Sequence, residues 1–297
     1  MTILFQNRDS SSWVGGDSIQ LDSTRKALEE LGIKTEFYFD PVIDIKADIV
    51  HCFNFSMSWT KYHVWNARQQ GKKVVCSMIY HETDQYVSYE IQQAMINELH
   101  KCIFLTEGEL ERVRRHLTIP DNKIVIIPNG INSWWFEPVS VTYPSDILTV
   151  GRIDANKGQL AVAKVCKKLG LKYVCIGAGG EYAELVKKEG AIVIPVIGKE
   201  ELKKYYAGCK VYACPSYKEI MPLTVMEAGS QGKPIIMTNG CEWDIPFFRM
   251  NYNDEDSIER SLLQALASKP DDTFKKQLEG MTWEKVAMIL ESVYKLL

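Results

Sequence analysis

Residues 130–146 read GINSWWFEPVSVTYPSD. The stretch is rich in Pro, Ser and aromatic residues and follows neither the period of 2 of a strand nor the 3.6 of a helix, so it reads as a connector. On its amino side, short β-rich runs (TILFQN, KTEFYFD, DIVHCFNF, KVVCSMIY, KCIFLT, KIVIIPN) alternate with helix-like segments. On its carboxyl side the alternation restarts with DILTVGRI, KYVCIGAG, AIVIPVI, KVYACPS and PIIMTN. Such alternation builds βα units on a parallel sheet. The expected fold is α/β: two Rossmann-like, doubly wound domains, 1–135 and 136–281, and a last helix over 282–297 with Thr282 as its N-cap. Two such sheets on a linker face a cleft, and ligands of open α/β sheets bind beyond the carboxyl ends of strands.

Composition narrows the function classes. The 297 residues are 46% hydrophobic and 25% charged, with a formal net charge of −3. This is an ordinary globular composition, without the global basic field of a typical nucleic-acid binder. The eight cysteines lie scattered in apolar runs, with no CxxC pair and no zinc spacing. That predicts no metal site and a reducing compartment. MTILFQNRD has neither a basic leader nor an apolar core of signal-peptide length, and no apolar run reaches membrane-spanning length, so the expectation is a cytoplasmic protein.

Two segments carry chemistry. In VGRIDANKG, residues 150–158, a strand ends at Gly151, Arg152 follows, and Lys157 stands at a helix start. Two cations converging with a helix N-terminus suit a phosphate or pyrophosphate. In PSYKEIMPLTVMEAGSQGKP, residues 215–234, Glu219 and Glu227 are separated by seven residues. Pro222 reads as the first helical residue, which leaves Glu219 in a loop and Glu227 inside the helix. The free N–H groups around Leu223 and Thr224 favour an anion. Glu227 is placed to accept from the vicinal hydroxyls of a polyol such as a ribose.

Together these segments resemble glycosyltransferase family 4, the retaining, nucleotide-sugar-dependent enzymes with the GT-B fold. The family's Gly-Arg, Lys-Gly, Pro-Ser, Glu, seven residues, Glu-Ala and Gly-x-Pro pattern stands here in order, and the resemblance extends through VCIGAGGE, VIGKEELKKYYAGCKVY and KIVIIPNGIN. It implies that Arg152 and Lys157 neutralise the donor diphosphate, that Gly151 admits its close approach and that Glu227 holds the ribose. Glu219 would contact the donor sugar beside the reacting carbon, and the loop at Ile197 and Gly198 would receive the base. In the first half, Gly15 and Gly16 match the family's Gly-Gly turn, and His81 matches a His at the cleft. The resemblance further implies retention at the anomeric carbon, no metal and no cofactor beyond the nucleoside-diphosphate sugar as co-substrate. It also implies a final helix that crosses back to the first domain.

The chain departs from the family at Ile220, Met221 and Pro222, where many members have Gly-Phe-Gly, so sugar identity stays open. The acceptor, a glycan, lipid-linked or small-molecule hydroxyl, is not named by any motif. Two alternatives stand beside this reading: transfer to a modified nucleic-acid base, with Arg112, Arg114 and Arg115 as a basic strip, and a non-catalytic sugar-nucleotide-binding protein. An NAD-dependent oxidoreductase lacks its Gly-x-Gly-x-x-Gly after strand one. ERVRRH, residues 111–116, reads as a solvated helix face, the Trp134–Trp135 pair as packing of the connector, and Asp17 as an N-cap.

Overall fold

The computed structural model describes residues 1–7, 15–80, 87–241, 243–269 and 271–297. The chain forms two compact units, Met1–Gly130 with Met281–Leu297, and Ile131–Gly280.

In the first unit, strands β1 (Thr2–Gln6), β2 (Lys34–Tyr38), β3 (Ile49–Phe53), β4 (Lys73–Ser77), β5 (Lys101–Phe104) and β6 (Ile124–Ile126) form one parallel sheet in the order β2-β1-β3-β4-β5-β6. The helices are α1 (Gly16–Glu30), α2 (Ser58–Gln69), α3 (Tyr89–Glu98), α4 (Glu107–Arg114) and, from the end of the chain, α11 (Trp283–Lys295). Every residue of β3 is buried, as expected of a central parallel strand covered on both faces.

Thr282 starts α11 by accepting the Lys285 N–H at 3.4 Å, and the helix buries Trp283, Val286, Ala287, Leu290, Val293 and Tyr294. Fully burying a large apolar side chain contributes about 1.5–3 kcal/mol, so this helix is integral to the first unit. A polar contact anchors it. The fully buried His51 meets the Tyr294 hydroxyl at 2.6 Å through Nδ1 and Ser77 Oγ at 2.9 Å through Nε2.

The second unit carries β7 (Ser145–Val150), β8 (Tyr173–Ile176), β9 (Ile192–Ile194), β10 (Cys209–Cys214), β11 (Ile235–Thr238) and β12 (Phe248–Met250), again all parallel, in the order β12-β11-β10-β7-β8-β9. Its helices are α5 (Gln159–Leu169), α6 (Glu181–Lys188), α7 (Lys199–Gly208), α8 (Leu223–Ser230), α9 (Glu255–Ala267) and α10 (Thr273–Glu279). The core between sheet and helices is built from aliphatic side chains such as Ile147, Val162, Val186, Val211, Ile236 and Leu262. The three-residue strand β12 was not expected from the sequence, being too short to show alternation.

The order sets the site. The chain runs outward from β7 to β9, then returns to β10 beside β7 and runs the other way, so the reversal lies between β7 and β10. A crevice opens at such a switch point, beyond the carboxyl ends of the two strands. The loops that emerge there are those carrying Arg152, Lys157 and Glu219.

Candidate functional site

After β7 the backbone turns at Gly151, whose φ is +143°. Asp154 then caps a short 3-10 turn, Ala155–Lys157, by accepting the Asn156 N–H at 2.9 Å, and it also pairs with Arg152 Nε. Gly158 follows in the left-handed region at φ +67°, where a Cβ would stand 2.3 Å from the Pro215 carbonyl oxygen. This close approach joins the two motif loops, because Pro215 begins the loop after β10. A second tie is the Tyr217 N–H, which donates to the Asn156 carbonyl at 2.9 Å. The VCIGAGGE segment supplies the floor: at Gly177, φ +154°, a Cβ would stand 1.9 Å from the Gly151 carbonyl oxygen.

The two loops are joined by charge as well. Lys157 Nζ donates to Glu219 Oε1 at 2.6 Å, with the side chains 28% and 17% exposed. Burial works against the Lys157 ammonium, but the Glu219 carboxylate outweighs it and holds its pKa above the ordinary lysine range. The Lys157 ammonium is therefore charged at neutral pH. Glu219 is itself fixed by a parallel β-bridge to Cys241.

Helix α8 starts beside this pair in sequence, with Pro222 as its N-cap instead of its first residue; its φ of −70° and ψ of 128° are extended, not helical. The first turn of α8 holds no acidic residue, and no side chain caps it. The N–H groups of Leu223 and Thr224 precede any intrahelical acceptor and carry the positive end of the helix dipole. Glu227 lies one turn on, half-buried. Burial lifts its pKa to about 7 against the opposing pull of the Tyr206 hydroxyl, which donates to Oε2 at 2.8 Å, and of Lys199. Gly198 is the N-cap of α7, and Ile197 lies in the loop between β9 and that helix.

Of the residues singled out from the sequence, Gly151, Arg152, Lys157, Glu219, Leu223, Thr224 and Glu227 thus lie on loops and a helix at the β7/β10 switch point. Ile197 and Gly198 follow the edge strand β9 of the same unit. Gly15 and Gly16 belong to the first unit. Gly15 is the N-cap of α1, and its carbonyl accepts from Ser18 and Ile19 at 3.1 and 3.2 Å. His81 lies outside the described residues. Among those described, no group of three His, Cys, Asp or Glu side chains is placed to hold a metal ion. All eight cysteines are buried free thiols.

Three local expectations change. Asp17 does not cap α1; its Oδ2 accepts from the Asn7 and Asn54 side-chain amides at 3.2 and 2.9 Å. The 111–116 cluster is not a solvated face throughout. Arg112 is 1% exposed and donates to the Tyr80 carbonyl at 2.7 Å, because Glu109, Arg112 and Val113 share the inward side of α4. Arg114 pairs with Asp121 at 2.6 Å. The basic strip is thereby broken up, which removes the feature that favoured a nucleic-acid acceptor. Tyr206 and Asp154, both in direct contact with the predicted site residues, were missed. Asp154 could have been found as the capping residue of the turn before Lys157.

Trp135 is buried as expected of a packed connector. Its ring meets Tyr206 edge-on at 5.8 Å, and its carbonyl accepts from Ser230 Oγ at 3.2 Å. Trp134 lies under the Lys203 ammonium, 4.3 Å from its ring centre.

Two family profiles match this chain back to back: Glycosyltransferase Family 4 over residues 26–134 and Glycosyl transferases group 1 over residues 134–244. An uncharacterized glycosyltransferase of Methanocaldococcus jannaschii is 25% identical over 236 residues, which is 65% of this chain and 58% of that protein. The chain spans less than two thirds of the length of the curated relatives it matches. Among solved structures, sucrose-phosphate synthase from Thermosynechococcus elongatus superimposes with a TM-score of 0.84 at 17% identity, covering 99% of this chain and 98% of that one. Anabaena HepE in complex with UDP superimposes with a TM-score of 0.78 at 11% identity, over 100% of both chains. These likenesses show the fold. No described helix is long and apolar enough to cross a membrane.

Proposed function

This chain belongs to glycosyltransferase family 4 and has the GT-B fold, and from that premise we propose that it moves a sugar from a nucleoside diphosphate to an acceptor hydroxyl with retention at the anomeric carbon. The observation that carries the reading is the Lys157–Glu219 pair at 2.6 Å, which joins a cation suited to phosphate and a carboxylate suited to sugar hydroxyls at the switch point. UDP is the nucleotide to test first, since HepE, a protein of the same fold, was solved with it.

As the bond to the β-phosphate breaks, negative charge grows on the leaving diphosphate. Arg152, Lys157 and the amides at Leu223 and Thr224 are the fixed positive groups that stabilise it, and preorganised groups of this kind supply a large part of enzymatic rate enhancement. With two cations and a helix terminus in that role, the reaction proceeds without a metal ion. Glu219 receives the hydroxyls of the transferred sugar, Glu227 those of the ribose, and the loop at Ile197 and Gly198 the base. No cofactor is required beyond the donor itself, and the acceptor is a hydroxyl of a glycan, lipid-linked or small molecule.

The test is a thermal-shift panel of nucleoside diphosphates and their sugars in EDTA, with wild type and Lys157→Ala side by side. Stabilisation by one nucleotide that the variant loses supports the reading. Stabilisation that the variant keeps in full would place the diphosphate elsewhere.

A further inference from the structure

Tyr206 is fully buried on α7 and packs against residues of the second unit. Its hydroxyl donates to Glu227 Oε2 at 2.8 Å. Its ring packs edge-on with Trp135 at 5.8 Å and tilted against Tyr212 at 5.6 Å. Trp135 is in turn held by Ser230 Oγ, on the same helix as Glu227. These contacts hold the ring and aim its hydroxyl at Glu227. A half-buried carboxylate without such a donor would sample several rotamers and pay for each one excluded when ligand binds.

We propose that Tyr206 is a positioning residue of the donor site: its hydroxyl engages one oxygen of Glu227 and turns the carboxylate so that it accepts from a vicinal diol of the nucleotide. The inference rests on the reading of Glu227 as the ribose-binding residue. An ionised carboxylate accepts from both hydroxyls of a diol, whereas a protonated one has to donate through one oxygen and loses that pairing. Glu227 titrates at about 7, raised by burial and drawn back by Tyr206 and Lys199. The groups that face it are Tyr206 and Lys199 from α7 and Tyr212 from β10. Diol recognition should then strengthen as pH rises through 7. Removing the Tyr206 hydroxyl takes away a group that favours the ionised form, so the midpoint should move upward.

The experiment measures UDP and 2′-deoxy-UDP binding by calorimetry from pH 6 to 9 for wild type, Tyr206→Phe and Glu227→Gln. The ratio of the two affinities isolates the diol from the diphosphate, whose own titration is common to both ligands. Wild type is expected to prefer UDP by about 10-fold or more above pH 7.5, the scale of one lost hydrogen bond to a charged group. Y206F should lower that ratio about threefold or more at pH 7.5, recover part of it by pH 9, and keep its melting temperature within a few degrees. E227Q should bring the ratio near 1 at every pH. A wild-type ratio retained in E227Q would sink the ribose reading of Glu227. A ratio lost in E227Q but unchanged in Y206F, with the same midpoint, would overturn the role of Tyr206 alone.

Discussion

Lys157 and Glu219 lie 62 residues apart in sequence and 2.6 Å apart in the fold, each on the loop that leaves one of the two strands flanking the switch point. Because the ammonium already has a carboxylate partner, an incoming diphosphate competes with Glu219 for it. Removing the carboxylate frees the cation. Glu219→Ala is therefore expected to bind UDP as tightly as wild type or up to about tenfold more tightly, while its transfer or donor-hydrolysis rate falls at least 100-fold. Calorimetry and a coupled UDP-release assay separate the two effects. Weaker UDP binding with unchanged turnover would assign Glu219 the wrong job.

Lys157→Ala should act in the opposite sense. Loss of one charge-assisted contact to the diphosphate is expected to weaken UDP binding by roughly 30-fold, about 2 kcal/mol. It would also leave the part-buried Glu219 carboxylate without its lysine. The same titration in rising salt should show a shallower dependence for the variant.

Gly158 is the point where the two motif loops touch. Any side chain there must adopt φ +67° and push into the Pro215 carbonyl at 2.3 Å. Gly158→Ala is expected to destabilise the protein by about 2 kcal/mol or more through both terms, with a lower urea midpoint and a parallel loss of nucleotide binding. Gly170→Ala makes the control: it shares the left-handed φ of +67° but has open space around it, so it should cost less and leave binding intact.

Glu227 also predicts a stability profile. Its folded pKa of about 7 lies above the ordinary 4.5, so the folded state favours the protonated form. The contribution is present in full below about pH 4.5 and is lost as pH rises through 7. Glu227→Gln keeps the neutral form at all pH values. Its melting temperature should exceed that of wild type at pH 8 by a few degrees and converge with it near pH 5. A constant difference across that range would contradict the assignment.

Tyr294 anchors α11 on His51, whose pKa is pushed down to about 3 by burial. Tyr294→Phe removes one hydrogen bond and is expected to cost about 1–2 kcal/mol. Tyr294→Ala adds a cavity and should cost about 3–5 kcal/mol. Chemical denaturation gives both values, and limited proteolysis should cut within 281–297 faster in the alanine variant. Because the folded pKa of His51 is depressed, its neutral form supports the fold above about 6.5. That support fades as pH falls towards 3.

Much of this was written locally in the chain. Gly151, Arg152 and Lys157 follow a strand and precede a helix, and the Pro-Ser and Gly-x-Pro punctuation brackets α8, so loop, helix and charge could be read from neighbouring residues. The coarse α/β alternation was legible for the same reason. Contacts decided by packing were not. Tyr206 reaches Glu227 across 21 residues only because α7 and α8 lie side by side. Arg112 sits in a run of exposed-looking charges, yet the helical phase it shares with Glu109 and Val113 turns it inward. Pro222 could start a helix or cap one, and its ψ of 128° settles it as the cap. Phe248–Met250 is too short to declare a period, and becomes a strand by pairing with β11.

The most direct measurement is a crystal structure with UDP bound, grown in EDTA. The diphosphate is expected against Arg152, Lys157 and the amides of Leu223 and Thr224, the ribose on Glu227 and the base at the loop of Ile197 and Gly198. A diphosphate bound away from Arg152 and Lys157, or a ribose that leaves Glu227 untouched, would contradict it.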